Sequence, residues 1–278
     1  MKRKVILTII LSAVSVVLLA QTIFSVEPDK ILICGHRGGF YSQFPENSLA
    51  AFEFTSSRDK SSRVIVEFDI RKSKQGTLFL MHDETVDRTT NGTGKIADLS
   101  DVYLSSLFLK NEKGELTQEK IPTYDELLDY TEKTKNILLM LDVKVDAWEE
   151  AIKRLERRRL QSRSIILTFR EEDTKKVYSL SQAIAISCLS TDEAKWNAIE
   201  ALDISKRNLV AYVDSSTPET LLSRIRNAEV PLMTDVCEHT TNQGNLHPES
   251  FYQKLVKSKN LSILITDFPS EVSMVSFD

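Results

Sequence analysis

Short apolar runs and amphipathic stretches take turns along almost the whole of this chain, and that alternation limits the possible folds more than any other feature. Strand-like runs are expected at about 31–35, 64–70, 77–82, 137–144, 164–169, 184–188, 230–235 and 261–266. Helical patterns fall between them at Ser48–Ser56, Thr123–Thr134, Ala147–Leu160, Glu172–Leu180, Asp192–Leu202, Pro218–Ala228 and Pro248–Ser258. Strands separated by helices form a parallel sheet with the helices packed on it. Such strands carry apolar residues outward towards the helices, as Ile137, Leu139, Leu141 and Val143 do. Asn208–Val213 is a ninth candidate for eight barrel positions, and we read it as an accessory or short strand.

Two architectures fit this order. A doubly wound open sheet calls for a glycine-rich phosphate loop after its first strand, and Gly38-Gly39-Phe40 does not continue as G-x-G-x-x-G. The alternative is a TIM (β/α)8 barrel of the α/β class, which takes roughly 250 residues. The chain has 278, and no repeat or linker divides residues 27–278. A barrel gathers its active site at the C-terminal ends of its strands, and that is where the polar residues collect. Ile31–Cys34 leads into Gly35-His36-Arg37, and Val64–Val66 into Glu67-Phe68-Asp69. Thr77–Met81 leads into His82-Asp83, and Ile137–Leu141 into Asp142-Val143-Lys144. A single-domain barrel is expected.

Residues two apart on a strand share a face. Glu67 and Asp69 therefore point together, as do Asp142 and Lys144, while Val66, Phe68 and Ile70 face the other way. Crowded carboxylates repel one another and resist desolvation, and a divalent cation relieves both strains. Oxygen ligands favour Mg²⁺ or Ca²⁺ over zinc, and the chain lacks the Cys-x-x-Cys and His-x-x-x-His spacings of a structural zinc site. Of four histidines, His36 and His82 directly follow strand runs. Imidazole titrates near neutrality, so one can remove a proton while the other delivers one. Arg37 offers phosphate a planar two-donor fork, and Lys144 adds a second cation. Glu46 stands behind them as a brace, and Asn47 or Ser48 caps the following helix. His239 and His247 fall in loops and read as surface residues, Trp148 and Trp196 as packing residues.

The first 26 residues form a segment of their own. Lys2-Arg3-Lys4 precedes the apolar run Val5–Ala20, the pattern of an export signal. Residues 5–26 are also long enough to stay in a bilayer as an anchor, and the charge bias leaves the barrel outside the cytoplasm in either case. A periplasmic, secreted or membrane-anchored protein is expected. The net charge is −4, and without the three leader cations 33 basic side chains face 40 acidic ones, a net −7. With no basic stripe, nucleic acid is not the expected partner. Cys34, Cys188 and Cys237 are expected to be unpaired, with Cys34 inside the barrel on the face that carries His36.

These residues, taken in order, resemble the glycerophosphodiester phosphodiesterases. The resemblance is carried by His36-Arg37-Gly38, Pro45-Glu46-Asn47-Ser48, Glu67-x-Asp69 and the run from His82-Asp83 to Asp87-Arg88-Thr89-Thr90. Ile121-Pro122-Thr123, Leu141-Asp142-Val143-Lys144 and Thr266-Asp267-Phe268-Pro269 continue it, so it extends from about residue 31 to 270. It implies a TIM barrel, a divalent metal, and hydrolysis of glycerophosphodiesters to sn-glycerol 3-phosphate and an alcohol. By position, His36 and His82 would be the acid–base pair. Glu67, Asp69 and Asp142 would be metal ligands, and Arg37 and Lys144 phosphate contacts. Two positions depart from the family pattern. Asp142 stands where glutamate is usual, as it does in sphingomyelinase D-like barrels. Leu232-Met233-Thr234 replaces a Trp-Thr pair. The alternatives are a lysophospholipase D-type enzyme taking a lysolipid, with Phe40, Tyr41 and Phe44 as an apolar rim, and an inactive barrel that only binds phosphoglycerol groups.

Overall fold

A computed structural model describes residues 30–40, 42–58 and 63–277; the leader and Tyr41 lie outside the described residues. The strands in chain order are β1 (Leu32–Gly35), β2 (Val64–Lys72), β3 (Leu78–Leu80), β4 (Phe108–Lys110), β5 (Leu116–Lys120) and β6 (Ile137–Val143). They continue with β7 (Ser164–Thr168), β8 (Ala185–Leu189), β9 (Leu209–Tyr212), β10 (Leu232–Asp235) and β11 (Ile263–Thr266). The helices are α1 (Leu49–Ser57), α2 (Asp101–Ser106), α3 (Tyr124–Lys133), α4 (Trp148–Arg157) and α5 (Glu171–Leu180). After them come α6 (Glu193–Glu200), α7 (Glu219–Asn227), α8 (Glu238–Thr241), α9 (Glu249–Lys259) and α10 (Pro269–Val272). Among the described residues no helix is long and apolar enough to cross a membrane.

Eight parallel strands close on themselves in the order β1-β2-β6-β7-β8-β9-β10-β11, with β11 pairing back to β1. Strand alternation divides the core in two. Leu32, Cys34, Ile65, Leu138, Met140, Ile165, Val210, Met233 and Ile263 fill the barrel. The residues between them, such as Val66, Phe68, Leu139 and Leu141, pack outward with Tyr124 and Leu127 of α3 and Leu155 of α4. Local signals set the helix starts: Ser48 accepts the Ala51 amide at 3.1 Å, and Thr123 forms a reciprocal capping box with Glu126. The three cysteines are free, with Cys34 buried inside the barrel and Trp196 buried on the outer side.

The barrel assignment of the sequence analysis holds, but its strand count needs a correction. The run at 77–82 is not a barrel strand. Its ordered part, β3, pairs antiparallel to the far end of β2, with Ile70 opposite Leu80 and Lys72 opposite Leu78. Only residues 73–77 separate the two strands, too few for the crossover that parallel pairing demands. Asn208–Val213, read as accessory, contains β9, a full barrel member paired to β8 and β10. The chain from β3 to α3 then builds a small lobe beside the barrel mouth. It has its own core of Phe79, Met81, Val86, Ile96, Leu104, Leu107, Leu109 and Ile121, and the β4–β5 hairpin as its outer edge.

Candidate active site

The interior face of each strand continues into the site. Ile65 is followed two residues on by Glu67 and four on by Asp69, Leu138 and Met140 by Asp142, and Leu32 and Cys34 by His36. Asp69 and Asp142 are paired across the β2–β6 ladder, so the two carboxylates stand side by side at one level. Glu67, Asp69 and Asp142 are all buried (4%, 1% and 8% exposed) and offer oxygens within 4.8 Å of one another. Burial first, and then the Asp69 charge, push Glu67 up to about 8. Burial also raises Asp142, against the pull of Lys144. Protons are thus drawn onto a cluster with more carboxylate than its surroundings neutralise. Three buried, hard oxygen donors with that excess of negative charge fit a divalent cation.

Asn47 holds this cluster in place. Its backbone is left-handed (φ 58°), and its amide clamps one residue at both ends. Nδ2 donates to Asp69 Oδ2 at 2.9 Å, and the Asp69 backbone N–H donates to Oδ1 at 3.0 Å. Lys144 donates to Asp142 Oδ2 at 2.5 Å and lies 3.2 Å from Asp69 Oδ1. Burial opposes the ammonium, but the charges of Asp69 and Asp142 raise its pKa above the usual value.

On the neighbouring strand the His36-Arg37-Gly38 turn is tight. Arg37 adopts φ 51° and its backbone N–H donates to Glu67 Oε2 at 2.7 Å. At Gly38 (φ 89°) a Cβ would come within 2.8 Å of the Phe52 ring, so only glycine fits. Arg37 Nη1 donates to Glu46 at 3.1 Å. Its Nε is buried without a hydrogen-bond partner among the described residues, 3.7 Å from Asp69 Oδ2.

Both histidines are anchored through Nδ1. His36 meets Asp267 at 2.7 Å and His82 meets Asp83 at 2.8 Å, so in each ring Nε2 is the nitrogen not engaged by that carboxylate. Burial works against a charged His36, but the Asp267 bond and the charges of Glu67 and Asp267 outweigh it, and its pKa stands raised. His82 arrives by an indirect route: β2 overshoots the mouth and the antiparallel β3 brings the chain back, with Met81 N donating to Asp69 O at 3.0 Å. Arg88 grips Asp83 and Glu46 together; its hydrogen bonds to Asp83, with burial opposing them, hold that carboxyl well below the usual range.

All eight residues singled out from the sequence (His36, Arg37, Glu46, Glu67, Asp69, His82, Asp142 and Lys144) therefore gather at one end of the barrel. Sequence reasoning gave no role to Asp83, Arg88 or Asp267 and saw Asn47 only as a possible cap, a part that Ser48 takes. Asp267 was accessible to the same two-residue rule, since Ile263 and Ile265 precede it on the inner face. His239 is exposed, as expected, yet its ring stacks on Phe40, which in turn stacks on His36, with centroids 5.2 and 5.8 Å apart. A cleft of about 490 Å³, with Arg37, Phe40, Glu46, His82, Arg88 and His239 in its walls, opens between barrel and lobe.

Residues 36–262 match the glycerophosphoryl diester phosphodiesterase family. Glycerophosphodiester phosphodiesterase 1 of Bos taurus is 32% identical over 171 residues, covering 58% of this chain and 49% of its own length. The chain spans about half the length of the curated relatives it matches. Among solved structures, a glycerophosphoryl diester phosphodiesterase from Parabacteroides distasonis superposes with a TM-score of 0.79 at 24% identity, over 92% of this chain and 91% of its own. An Oleispira antarctica phosphodiesterase in complex with the product sn-glycerol 3-phosphate gives 0.67 at 22% identity, over 88% and 96%.

Proposed function

The chain belongs to the glycerophosphoryl diester phosphodiesterase family, and from that premise we propose that its barrel mouth hydrolyses glycerophosphodiesters to sn-glycerol 3-phosphate and an alcohol. One observation carries the reading. Two imidazoles, each anchored through Nδ1 to a carboxylate, share a barrel end with three crowded carboxylates and two cations. Glu67, Asp69 and Asp142 would hold Mg²⁺ or Ca²⁺, which when bound supplies positive charge against the phosphoryl oxygens. Arg37, with a buried Nε unspent, and Lys144 hold non-bridging oxygens of the diester. One imidazole Nε2 takes the proton of the attacking group, a water or the neighbouring substrate hydroxyl. The other gives a proton to the alcohol oxygen as its bond to phosphorus breaks. Attack by the hydroxyl forms a cyclic phosphate, which water then opens. Glu46 braces Arg37. The product held by the Oleispira enzyme supports the glycerol 3-phosphate assignment.

Phe40 and Phe44 both line the cleft and are the apolar rim that a lysolipid would need, so turnover of glycerophosphocholine measured beside lysophosphatidylcholine decides between the two substrate classes. The leader places the barrel outside the cytoplasm in this proposal, and protease accessibility in intact cells tests that placement. For the chemistry, His36→Ala and His82→Ala should each lower turnover of glycerophosphocholine about 10²–10⁴-fold with the melting temperature kept. A chelator should abolish product, and Mg²⁺ or Ca²⁺ should restore it. Near-normal turnover by His82→Ala would refute the paired roles, and binding without product would leave a barrel that only recognises phosphoglycerol groups.

A further inference from the structure

We infer that Arg88 is a positioning residue that couples the proton-transfer half of the site to its phosphate-holding half, an inference that rests on the phosphodiesterase reading. Its guanidinium serves two carboxylates at once. Nε donates to Asp83 Oδ2 at 2.6 Å and Nη2 to Asp83 Oδ1 at 2.9 Å. Nη1 donates to Glu46 Oε2 at 2.7 Å and Nη2 to Glu46 Oε1 at 2.8 Å. Each carboxylate in turn holds a residue that faces the substrate. Asp83 Oδ1 anchors His82 Nδ1 at 2.8 Å, and Glu46 Oε1 accepts from Arg37 Nη1 at 3.1 Å. An unbroken line, His82–Asp83–Arg88–Glu46–Arg37, thus runs along the wall of the cleft. It joins the loop after β1 to the loop after β3, which have no sequence proximity.

Exposed ion pairs add little to stability, and Arg88 is half exposed. Its value here lies in orientation, because a planar fork fixes the plane of each carboxylate where an ammonium would not. Removal has two separable effects. Asp83 loses the bonds that hold it and His82 loses its fixed anchor, so the chemical step slows. Glu46 has both oxygens released and closes on Arg37, so the fork meant for phosphate is drawn back and substrate binding weakens. The second effect depends on the Glu46 charge, and removing that charge reverses it.

The test compares the parent chain with Arg88→Met, Arg88→Lys and the double variant Glu46→Gln/Arg88→Met. The readouts are kcat and KM on glycerophosphocholine, calorimetric binding of sn-glycerol 3-phosphate, and thermal melting. Arg88→Met should lower kcat roughly a hundredfold through misplaced His82. It should also raise KM and the glycerol 3-phosphate Kd about tenfold by drawing Arg37 back. Adding Glu46→Gln should bring KM and Kd back to within about twofold while kcat stays low, a pattern that loss of fold cannot produce. Arg88→Lys should recover only part of kcat, and it carries the comparison if the methionine variant does not fold. Unchanged kinetics in Arg88→Met, or a KM that Glu46→Gln leaves high, overturns the inference. A parent that binds glycerol 3-phosphate yet releases no product would instead sink the phosphodiesterase reading, and the Kd series would still decide for or against Arg88.

Discussion

Replacing Asp267 by asparagine isolates what the His36 anchor contributes, because the surroundings dictate how the new amide must sit. Asp267 is 1% exposed and each of its oxygens is in use. Oδ1 meets His36 Nδ1 at 2.7 Å, and Oδ2 accepts the backbone N–H of His239 at 2.7 Å. Its own backbone N–H is fixed by the fully buried Glu238 at 2.8 Å. Asparagine has only one acceptor oxygen. The His239 amide is a donor that cannot turn, so the oxygen must go there and the NH₂ must face His36. Nδ1 then becomes an acceptor and the ring proton moves to Nε2, which bars His36 from the proton-accepting role that the proposed mechanism gives one of the two imidazoles. Loss of the charge-assisted bond alone is worth about 1.5–3 kcal/mol, roughly 10–150-fold in rate. An inverted tautomer costs a serine-protease triad about 10⁴-fold, so kcat should fall by about 10²–10⁴. The assay is kcat from about pH 5 to 9 on a glycerophosphodiester, beside a melting curve that falls by no more than the lost bond accounts for, since the His239 contact survives. A folded Asp267→Asn protein within threefold of parental kcat would show that His36 does not depend on this carboxylate.

Two further outcomes follow from the crowded carboxylates. Glu67 is raised from 4.5 to about 8, so between those pH values the folded chain binds more protons than the unfolded one. Stability without a cation should therefore fall as pH rises through that window. The raised Asp142 and His36 act in the same direction, and millimolar Mg²⁺ or Ca²⁺ should flatten the slope. Denaturant melts at pH 5, 6.5 and 8 check this, and a cation-free stability that climbs with pH would contradict it. At Asn47, glycine keeps the left-handed turn but strips both bonds to Asp69 and leaves its buried N–H unpaired, a loss of about 1–3 kcal/mol. Alanine adds about 1–2 kcal/mol of backbone strain at φ 58°, so Asn47→Ala should melt below Asn47→Gly. The reverse order would mean that the turn is not what the side chain supports.

Much of the site was legible because one periodicity governs both core and chemistry. Inside a barrel strand, the rule that sends Ile65 inward also sends Glu67 and Asp69 inward, and the same holds for Met140 and Asp142. The strand count was less legible. Thr77–Met81 is apolar on both faces because β3 is sandwiched between the barrel's outer core, which takes Leu78 and Leu80, and the lobe core, which takes Phe79 and Met81. Apolarity alone cannot separate that setting from a buried parallel strand. The five-residue link after β2 could have done so, since no crossover fits in it. With the run at 77–82 counted among the eight, β9 becomes a surplus ninth, although α6 before it and α7 after it mark it as a regular barrel unit. The partners of the histidines were harder still. Asp83 is the immediate neighbour of His82, but Asp267 comes from the far end of the chain, and only barrel closure brings β11 against β1.

That closure also bears on the departure at Asp142. A side chain one methylene shorter than the usual glutamate reaches the cluster because Asp142 is the direct ladder partner of Asp69, so strand register supplies the proximity that length would otherwise have to provide. The same register sets Lys144 against both carboxylates. With all groups ionised, three carboxylates and the cations of Arg37 and Lys144 leave the cluster at −1, a charge that repels a phosphodiester. A proton held by Glu67 near neutral pH removes that charge in the absence of a cation. In the proposed enzyme a divalent ion would leave +1 instead, matched to the single negative charge of the diester. It would also compete with Lys144 for Asp69 and Asp142, and an ammonium so displaced has the phosphate as its nearest alternative acceptor.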